Sequence, residues 1–103
     1  MDFNLDALTV VHNERDSRFE IPLGSDIALA AYRMRDGLMV MNHTEVPQHL
    51  EGRGIAAKMV RAALDYARTN NFKVLPTCSY VVAFFQRNPT YRDLLRPEDQ
   101  ARL

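Results

Sequence analysis

Short apolar runs separated by polar turns fill the first part of the chain. The runs are rich in β-branched and aliphatic residues, and Gly, Asn, Asp and Ser cluster between them, which is typical of strands joined by turns. We therefore predict four antiparallel strands, over residues 8–13, 18–22, 27–34 and 38–46. Asp36 and Gly37 predict a tight hairpin between the third strand and the fourth.

The fourth predicted strand, residues 38–46, is apolar on both faces at its start and polar at its end. Side chains alternate along a regular strand, so two faces are expected. They are Met39, Met41, His43 and Glu45 on one face, and Leu38, Val40, Asn42, Thr44 and Val46 on the other. This pattern indicates a central strand whose carboxyl end opens onto a functional site.

The sequence that follows this strand has the periodicity of a helix. Apolar residues recur three and four positions apart, which predicts an amphipathic helix with one buried stripe: Ile55, Met59, Val60, Ala63, Leu64 and Ala67. Asn70 and Asn71 tolerate left-handed backbone and predict its end, and residues 72–76 predict a fifth strand. Such a strand–helix–strand unit predicts a right-handed crossover and parallel fourth and fifth strands.

A second, shorter helix is predicted over residues 80–88, with Ser79 as its N-cap and Pro89 as its terminator. The predicted fold class is α+β, with an antiparallel meander, then a parallel βαβ unit, and helices on the sheet faces. A length of 103 residues is that of one domain, so a single domain over residues 1–103 is expected.

Charge and cysteine content exclude several classes of protein. Thirteen basic residues balance thirteen acidic ones, so no nucleic-acid partner is expected. Cys78 is the one cysteine, and Asp2 and Asp6 make the amino terminus unlike a secretion signal, so a cytoplasmic location is expected. The apolar runs are shorter than the roughly 20 residues that span a bilayer, so no membrane partner is expected. A monomer or weak dimer is expected.

A turn with two glycines, Gly52-Arg53-Gly54-Ile55-Ala56, joins the fourth strand to the long helix. Small residues at a helix start leave backbone N–H groups free to bind an anion such as a pyrophosphate. The spacing fits neither a P-loop nor a dinucleotide-binding fingerprint. A tight turn that binds nothing remains the alternative interpretation of the glycines alone.

Four sequence segments together extend this pattern: His43-Thr44-Glu45-Val46, the glycine turn, Leu75-Pro76-Thr77-Cys78, and Tyr91. In this order they resemble the Gcn5-related N-acetyltransferase superfamily, and in particular a minimal family about as long as this chain. The resemblance covers residues 43–95, with Glu51 where the superfamily usually has Gln or Arg. It implies that acetyl-coenzyme A lies between splayed fourth and fifth strands, with its pyrophosphate on the glycine turn.

The resemblance also implies which residues line acetyl-coenzyme A: Val46, Arg53, Gly54 and Ala56, to which we add Ile55, Ala57 and Arg87. Further basic residues are candidates for its phosphates, although a charged helix face is usually only solvated: Lys58, Arg61, Lys73 and Arg92. His12 and His49 show no metal-ligand spacing, so no metal is predicted.

Three residues are candidates for catalysis. Larger superfamily members carry a proton-donating Tyr after the fifth strand, but Phe85 occupies that position here. Cys78 at a helix start is expected to have a lowered thiol pKa and to act as acid or nucleophile, with a buried inert cysteine as the alternative. His43 is expected to share its pocket with Cys78 and to act as a base, while Glu45 orients His43 or binds a cationic acceptor.

The predicted function is acetyl transfer from acetyl-coenzyme A to an amine, on a small molecule or a protein. The alternative is a non-catalytic acyl-coenzyme A-binding or protein-interaction module of the same fold, which Phe85 would suit. No helical pattern precedes residue 38, so an open acceptor groove is expected.

Overall fold

The computed structural model describes residues 4–103, and a five-stranded mixed sheet forms its centre. The strands lie in chain order: β1 (Val11–Asn13), β2 (Arg18–Leu23), β3 (Asp26–Arg35), β4 (Leu38–Glu45) and β5 (Lys73–Pro76). Strands β1 to β4 pair antiparallel, and β5 pairs parallel with β4. The predicted meander followed by a parallel βαβ unit is therefore confirmed.

Three α-helices accompany the sheet in the described residues: α1 (Ile55–Thr69), α2 (Ser79–Arg87) and α3 (Pro97–Gln100). Short 3₁₀ segments cover Leu5–Ala7, Gln48–Leu50 and Pro89–Leu94. Asn71 has a φ of 59°, so left-handed backbone follows α1 where the asparagine pair predicted it.

Helix α2 begins one residue earlier than predicted. Cys78 is its N-cap and Ser79 its first residue, so the prediction that Ser79 caps the helix is wrong. The Met41 carbonyl accepts from the N–H groups of both Thr77 (3.0 Å) and Cys78 (3.2 Å). Because these bonds hold Cys78 to the end of the sheet in extended backbone, the helix starts directly after it.

The two faces of the sheet differ in burial. One face packs beneath α1 and supplies the strand part of the core: Phe19, Ile21, Ala28, Ala30, Tyr32, Met39, Met41 and Val74. The other face carries apolar residues that are only half-buried and do not join the core: Leu29, Ala31, Leu38, Val40 and Leu75. We call this second surface the open face. Helix α2 lies beside α1, since the Arg61 guanidinium lies 5.6 Å from the centre of the Phe84 ring.

A β-bulge interrupts β4. Ala31 pairs with His43, whereas the next residue of β3, Tyr32, pairs with Met41, so Asn42 is an extra residue. An extra residue in one strand exchanges the faces of all side chains beyond it.

Beyond the bulge, Thr44 lies on the helix-covered face, where it pairs with the buried Ala30, and His43 and Glu45 lie on the open face. The prediction that Met41 shares a face with His43 and Glu45 is therefore wrong. The alternation rule assumes a regular strand, and the bulge breaks it. His43 and Glu45 do share a face with each other.

An aromatic cluster encloses His12 between β1 and α1. Its ring stacks on Phe19 with centroids 4.0 Å apart and meets the edge of Tyr66 at 4.4 Å. His12 Nε2 lies 2.6 Å from the Tyr32 hydroxyl. Burial lowers the pKa of His12 below its ordinary value, and the nearby negative charge of Glu14 opposes this shift in part.

We expect the free energy of unfolding to decrease as the pH falls below about 6.5, the ordinary pKa of histidine. His12 takes up a proton more readily in the unfolded chain than in the folded one. The stabilisation that neutral His12 contributes to the folded state is therefore complete above about pH 6.5. It is lost as the pH falls toward the lower pKa of the folded state. Urea unfolding at two pH values measures the decrease. The decrease in the free energy of unfolding should be smaller in His12→Gln. It should persist in His49→Gln, which replaces an exposed histidine. Equal pH dependence in the wild type and in His12→Gln would contradict this role of His12.

Candidate active site

A cleft of about 500 Å³ lies at the end of β4, between the start of α1 and α2. Its walls come from the end of β4, the connection to α1 and two side chains of α2: Thr44, Val46, Leu50, Glu51, Gly52, Gly54, Ile55, Ala56, Ala57, Tyr80 and Arg87. Of the seven residues predicted to line acetyl-coenzyme A, all but Arg53 line this cleft.

The glycine turn forms one wall of the cleft. Gly52 and Gly54 have φ values of 78° and 86°, which L side chains rarely adopt, and Gly54 is the N-cap of α1. The first backbone bond within α1 runs from the Lys58 N–H to the Gly54 carbonyl. The N–H groups of the preceding helical residues, 55–57, therefore have no helical acceptor, and they suit an anion at this wall.

Strands β4 and β5 separate beside the cleft. They pair only from Leu38 to Met41 and from Lys73 to Pro76, and β4 continues to Glu45 without β5. The separation predicted from the resemblance is therefore present. It leaves a gap between the last residues of β4 and the start of α2.

The Cys78 thiol lies on this gap. Cys78 is half-buried, and its Sγ lies 3.6 Å from Thr44 Oγ1, to which it donates. Burial raises the pKa of the thiol. Once the thiol is ionised, the Thr44 hydroxyl can donate to the thiolate instead of accepting from the thiol. This bond and those from the N–H groups of Val81, Tyr80 and Thr44 outweigh burial, so the pKa lies below its ordinary value. The predicted direction of the shift agrees with this arrangement, but the hydrogen-bond partner of the thiol is Thr44 and not His43.

His43 and Glu45 form a second pair on the open face. His43 Nε2 lies 3.4 Å from Glu45 Oε2, and both side chains are more than half exposed. This contact fits the prediction that Glu45 orients His43. The candidate catalytic groups are thus divided between the two faces of β4, with Cys78 and Thr44 toward the helices and His43 and Glu45 on the open face.

Lys58 has a structural contact instead of a place in the cleft. Its Nζ donates to the backbone carbonyls of Leu5 (2.7 Å) and Leu8 (2.5 Å), which fastens the amino-terminal segment to α1. Lys58 was one of several candidates for a phosphate of coenzyme A, and these contacts direct its ammonium group to the chain's own carbonyls instead.

The other basic candidates also point elsewhere. Lys73 donates to the Asp93 carbonyl at 2.8 Å, Arg92 donates to the Gln100 carbonyl at 2.6 Å, and Arg61 lies over an aromatic ring. Of all the basic residues proposed from the sequence, Arg87 is the one that lines the cleft.

Tyr80 was missed by the sequence prediction. It lies seven positions before Arg87 on α2, which places both side chains on one helix face, and both line the cleft. Burial raises the pKa of Tyr80, against the opposing charges of Arg87 and Arg61, so its hydroxyl remains a proton donor at neutral pH. Phe85, by contrast, is fully buried in the core. The seven-residue spacing was the available signal for Tyr80.

Within residues 4–103, no group of three or more His, Cys, Asp or Glu side chains is arranged to hold a metal ion. The helices in the same range also fall short of the length and apolar character needed to cross a membrane.

The mixed sheet, its separated β4 and β5 and the glycine turn at α1 define an acetyltransferase fold. The chain matches the GCN5-related N-acetyl-transferase family over residues 18–94, and it belongs to that family. It is 34% identical to Protein NATD1 of Homo sapiens and of Bos taurus over 95 residues, which cover 87% of this chain and 84% of each relative. The solution structure of a GCN5-like protein from Staphylococcus aureus superimposes with a TM-score of 0.71 at 25% identity, covering 89% of this chain and 91% of that one.

Proposed function

We propose that this protein transfers an acetyl group from acetyl-coenzyme A to an amine. The cleft is the observation that carries the proposal. Its wall presents the N–H groups of residues 55–57 to an anion, and its far end reaches Thr44, the hydrogen-bond partner of the Cys78 thiol. Arg87 adds a positive charge to the same cleft. We include a cytoplasmic location and a monomeric or weakly dimeric state in the proposal.

The residues present fit acetyl-coenzyme A in size and chemistry. The N–H groups at the start of α1 suit the pyrophosphate, and the gap between β4 and β5 suits the pantetheine arm. A side chain at Gly54 is disfavoured, because its φ of 86° is rare for L residues and a Cβ there would lie 3.0 Å from Leu5 Cδ2, in the amino-terminal segment outside the cleft. We assign contacts with acetyl-coenzyme A to Val46, Gly54 and Arg87, and to residues 55–57.

The acceptor amine approaches from the open face, because the helix-covered side of β4 forms the cleft. His43 accepts a proton from the amine as its nitrogen bonds to the acetyl carbon, and Glu45 holds the imidazole. The carbon–sulfur bond breaks, and the departing thiolate takes a proton from Cys78 or Tyr80. Positioning and backbone N–H groups supply the remainder of the rate enhancement.

Cys78 also permits a covalent route. Its thiolate attacks the acetyl carbon and releases coenzyme A, which forms an acetyl–sulfur bond on Cys78. The amine then attacks this thioester, and the Cys78 thiolate is the leaving group. The lowered thiol pKa favours this route because it increases the thiolate fraction at neutral pH.

A non-catalytic acyl-coenzyme A-binding or protein-interaction module is the second candidate function. One specific observation favours it: Phe85 occupies the position of the usual proton donor and is fully buried. A binding module would take up coenzyme A in the same cleft and show no turnover.

Titration of isotope-labelled protein with coenzyme A tests the proposed function. We expect chemical-shift changes concentrated at residues 52–57, Tyr80 and Arg87, together with release of free coenzyme A when acetyl-coenzyme A and a mixture of amines are supplied. Shift changes confined to residues far from the cleft would contradict the site. Binding without any release of coenzyme A would favour the non-catalytic module.

A further inference from the structure

The open face presents an apolar strip that nothing in the described chain covers. Leu29, Ala31 and Val40 lie across its middle, and Leu38 and Leu75 continue it toward β5. They are half-buried by their strand neighbours alone, since none packs into the core. Ile27 extends the strip and is 38% exposed. Contiguous exposed apolar surface is common where another molecule binds.

Charge is distributed unequally along this strip. At one end Glu45 pairs with Leu29, next to the separated ends of β4 and β5. At the other end, Arg33 of β3 lies opposite Val40 of β4, and Arg35 lies opposite Leu38. Both arginines are exposed, and among residues 4–103 neither forms an ion pair. Arg18 and Glu20, which pair with Ala31 and Leu29 on the same face, form an ion pair and add no net charge. The open face is therefore acidic where the amine must react and basic at the far end.

We propose that the open face binds the acceptor as an extended polypeptide segment that carries a lysine, with acidic residues four to six positions away from it. The lysine amine lies at Glu45 and His43, and the acidic residues reach Arg33 and Arg35. This inference rests on the proposed function, because it names the class of acceptor for the same site.

The spacing follows from strand geometry. Leu29, beside Glu45, is four residues from Arg33 and six from Arg35 along β3. At about 3.3 Å per residue, these positions lie about 13 Å and 20 Å from the reacting end. An extended peptide laid along the strip has the same rise, so its fourth and sixth residues from the lysine come opposite the two arginines.

A second copy of the chain is the competing occupant. Two copies packed by their open faces would cover His43 and Glu45, which are exposed in the single chain and face the acceptor. A second copy packed antiparallel would match the unequal charge as well as a peptide does. The peptide is favoured because such a dimer would close the proposed reaction site at His43 and Glu45.

Synthetic peptides of one composition test the proposal. Each peptide carries a single lysine and two glutamates. In the first set the glutamates lie four and six positions from the lysine, both on its amino-terminal side or both on its carboxyl-terminal side. In the second set the glutamates adjoin the lysine. We expect the first set to have a kcat/KM about tenfold higher at low salt, with the preference shrinking as salt screens the charges. Arg33→Glu should remove most of the preference, and a peptide with lysines at the distal positions should then be favoured. Arg15→Glu, on the exposed β1–β2 turn, should leave the preference unchanged.

The outcomes separate the two levels of inference. If small amines are acetylated but both peptide sets react equally, or Arg33→Glu changes nothing, the docking proposal is overturned and the proposed function stands. If coenzyme A binds and no amine of any kind reacts, the proposed function itself fails. Sedimentation of the wild type that shows a stable dimer, dissociated by Val40→Asp, would assign the open face to a second copy and overturn the peptide proposal.

Discussion

We expect Gly54→Glu to abolish the binding of coenzyme A. The substitution places a carboxylate at the N-cap of α1, where the proposed pyrophosphate contacts the free N–H groups of residues 55–57. Two like charges about 4 Å apart near a protein surface repel by about 4 kcal/mol, which corresponds to roughly a thousandfold loss of affinity. Isothermal titration calorimetry measures the loss.

Gly37→Glu is the matched control for this variant. Gly37 has a φ of 80°, close to the 86° of Gly54, but it lies in the β3–β4 hairpin at the other end of the sheet. Both variants carry the cost of a side chain in left-handed backbone, about 1–2 kcal/mol. A Cβ at Gly54 also lies 3.0 Å from Leu5 Cδ2, whereas one at Gly37 meets nothing within 4 Å, so Gly54→Ala serves as the uncharged control for that contact. Equal affinity of the two variants for coenzyme A would show that the glycine turn is not part of the coenzyme A-binding site.

The second large effect is expected at Cys78. If acetyl transfer passes through this residue, incubation with acetyl-coenzyme A and no acceptor leaves one acetyl group on the protein, which hydroxylamine removes. Cys78→Ser then loses nearly all turnover. If Cys78 only donates a proton, no adduct forms, and the serine hydroxyl limits the loss to about 10²–10⁴-fold, the usual contribution of general acid catalysis.

Serine is a suitable replacement because Cys78 is the N-cap of α2, and serine is among the best N-cap residues. A loss of activity in Cys78→Ser therefore does not arise from a weakened helix start. The rate of alkylation against pH gives an independent measurement, with a midpoint below the ordinary thiol value expected from the contacts with Thr44 and the first turn of α2. Wild-type activity in Cys78→Ala would refute both roles and leave Cys78 as a packing residue.

Local sequence signals were sufficient for most of the fold. Alternating apolar residues and the Asp36-Gly37 turn marked the strands, because each depends on neighbours close in sequence. The apolar stripe of α1 and the left-handed Asn71 after it were predictable for the same reason. Six of the residues predicted to bind acetyl-coenzyme A line the cleft. Five of them follow from the glycine turn and the resemblance to a known family, and Arg87 follows from its place at the end of a predicted helix.

The errors lie where distant segments decide the structure. The bulge at Asn42 depends on how β3 and β4 align, and no local pattern marks it. Its consequence is that the Cys78 thiol meets Thr44, while His43 turns to the opposite face. The contacts of Lys58, one of the candidates for a phosphate, could not be predicted because its acceptors, the carbonyls of Leu5 and Leu8, are about fifty residues away in sequence.

The contacts of the lysine side chains bear on self-modification by this protein. The sequence contains two lysines, Lys58 and Lys73, and each donates its ammonium hydrogens to backbone carbonyls. An amine attacks a thioester only when its nitrogen is unprotonated and free to approach the acyl carbon, and these contacts direct both nitrogens to the chain's own carbonyls. The protein therefore presents few lysine nucleophiles of its own to a bound acyl group. An acyl adduct that forms without an acceptor and is cleaved by hydroxylamine accordingly points to the thiol of Cys78.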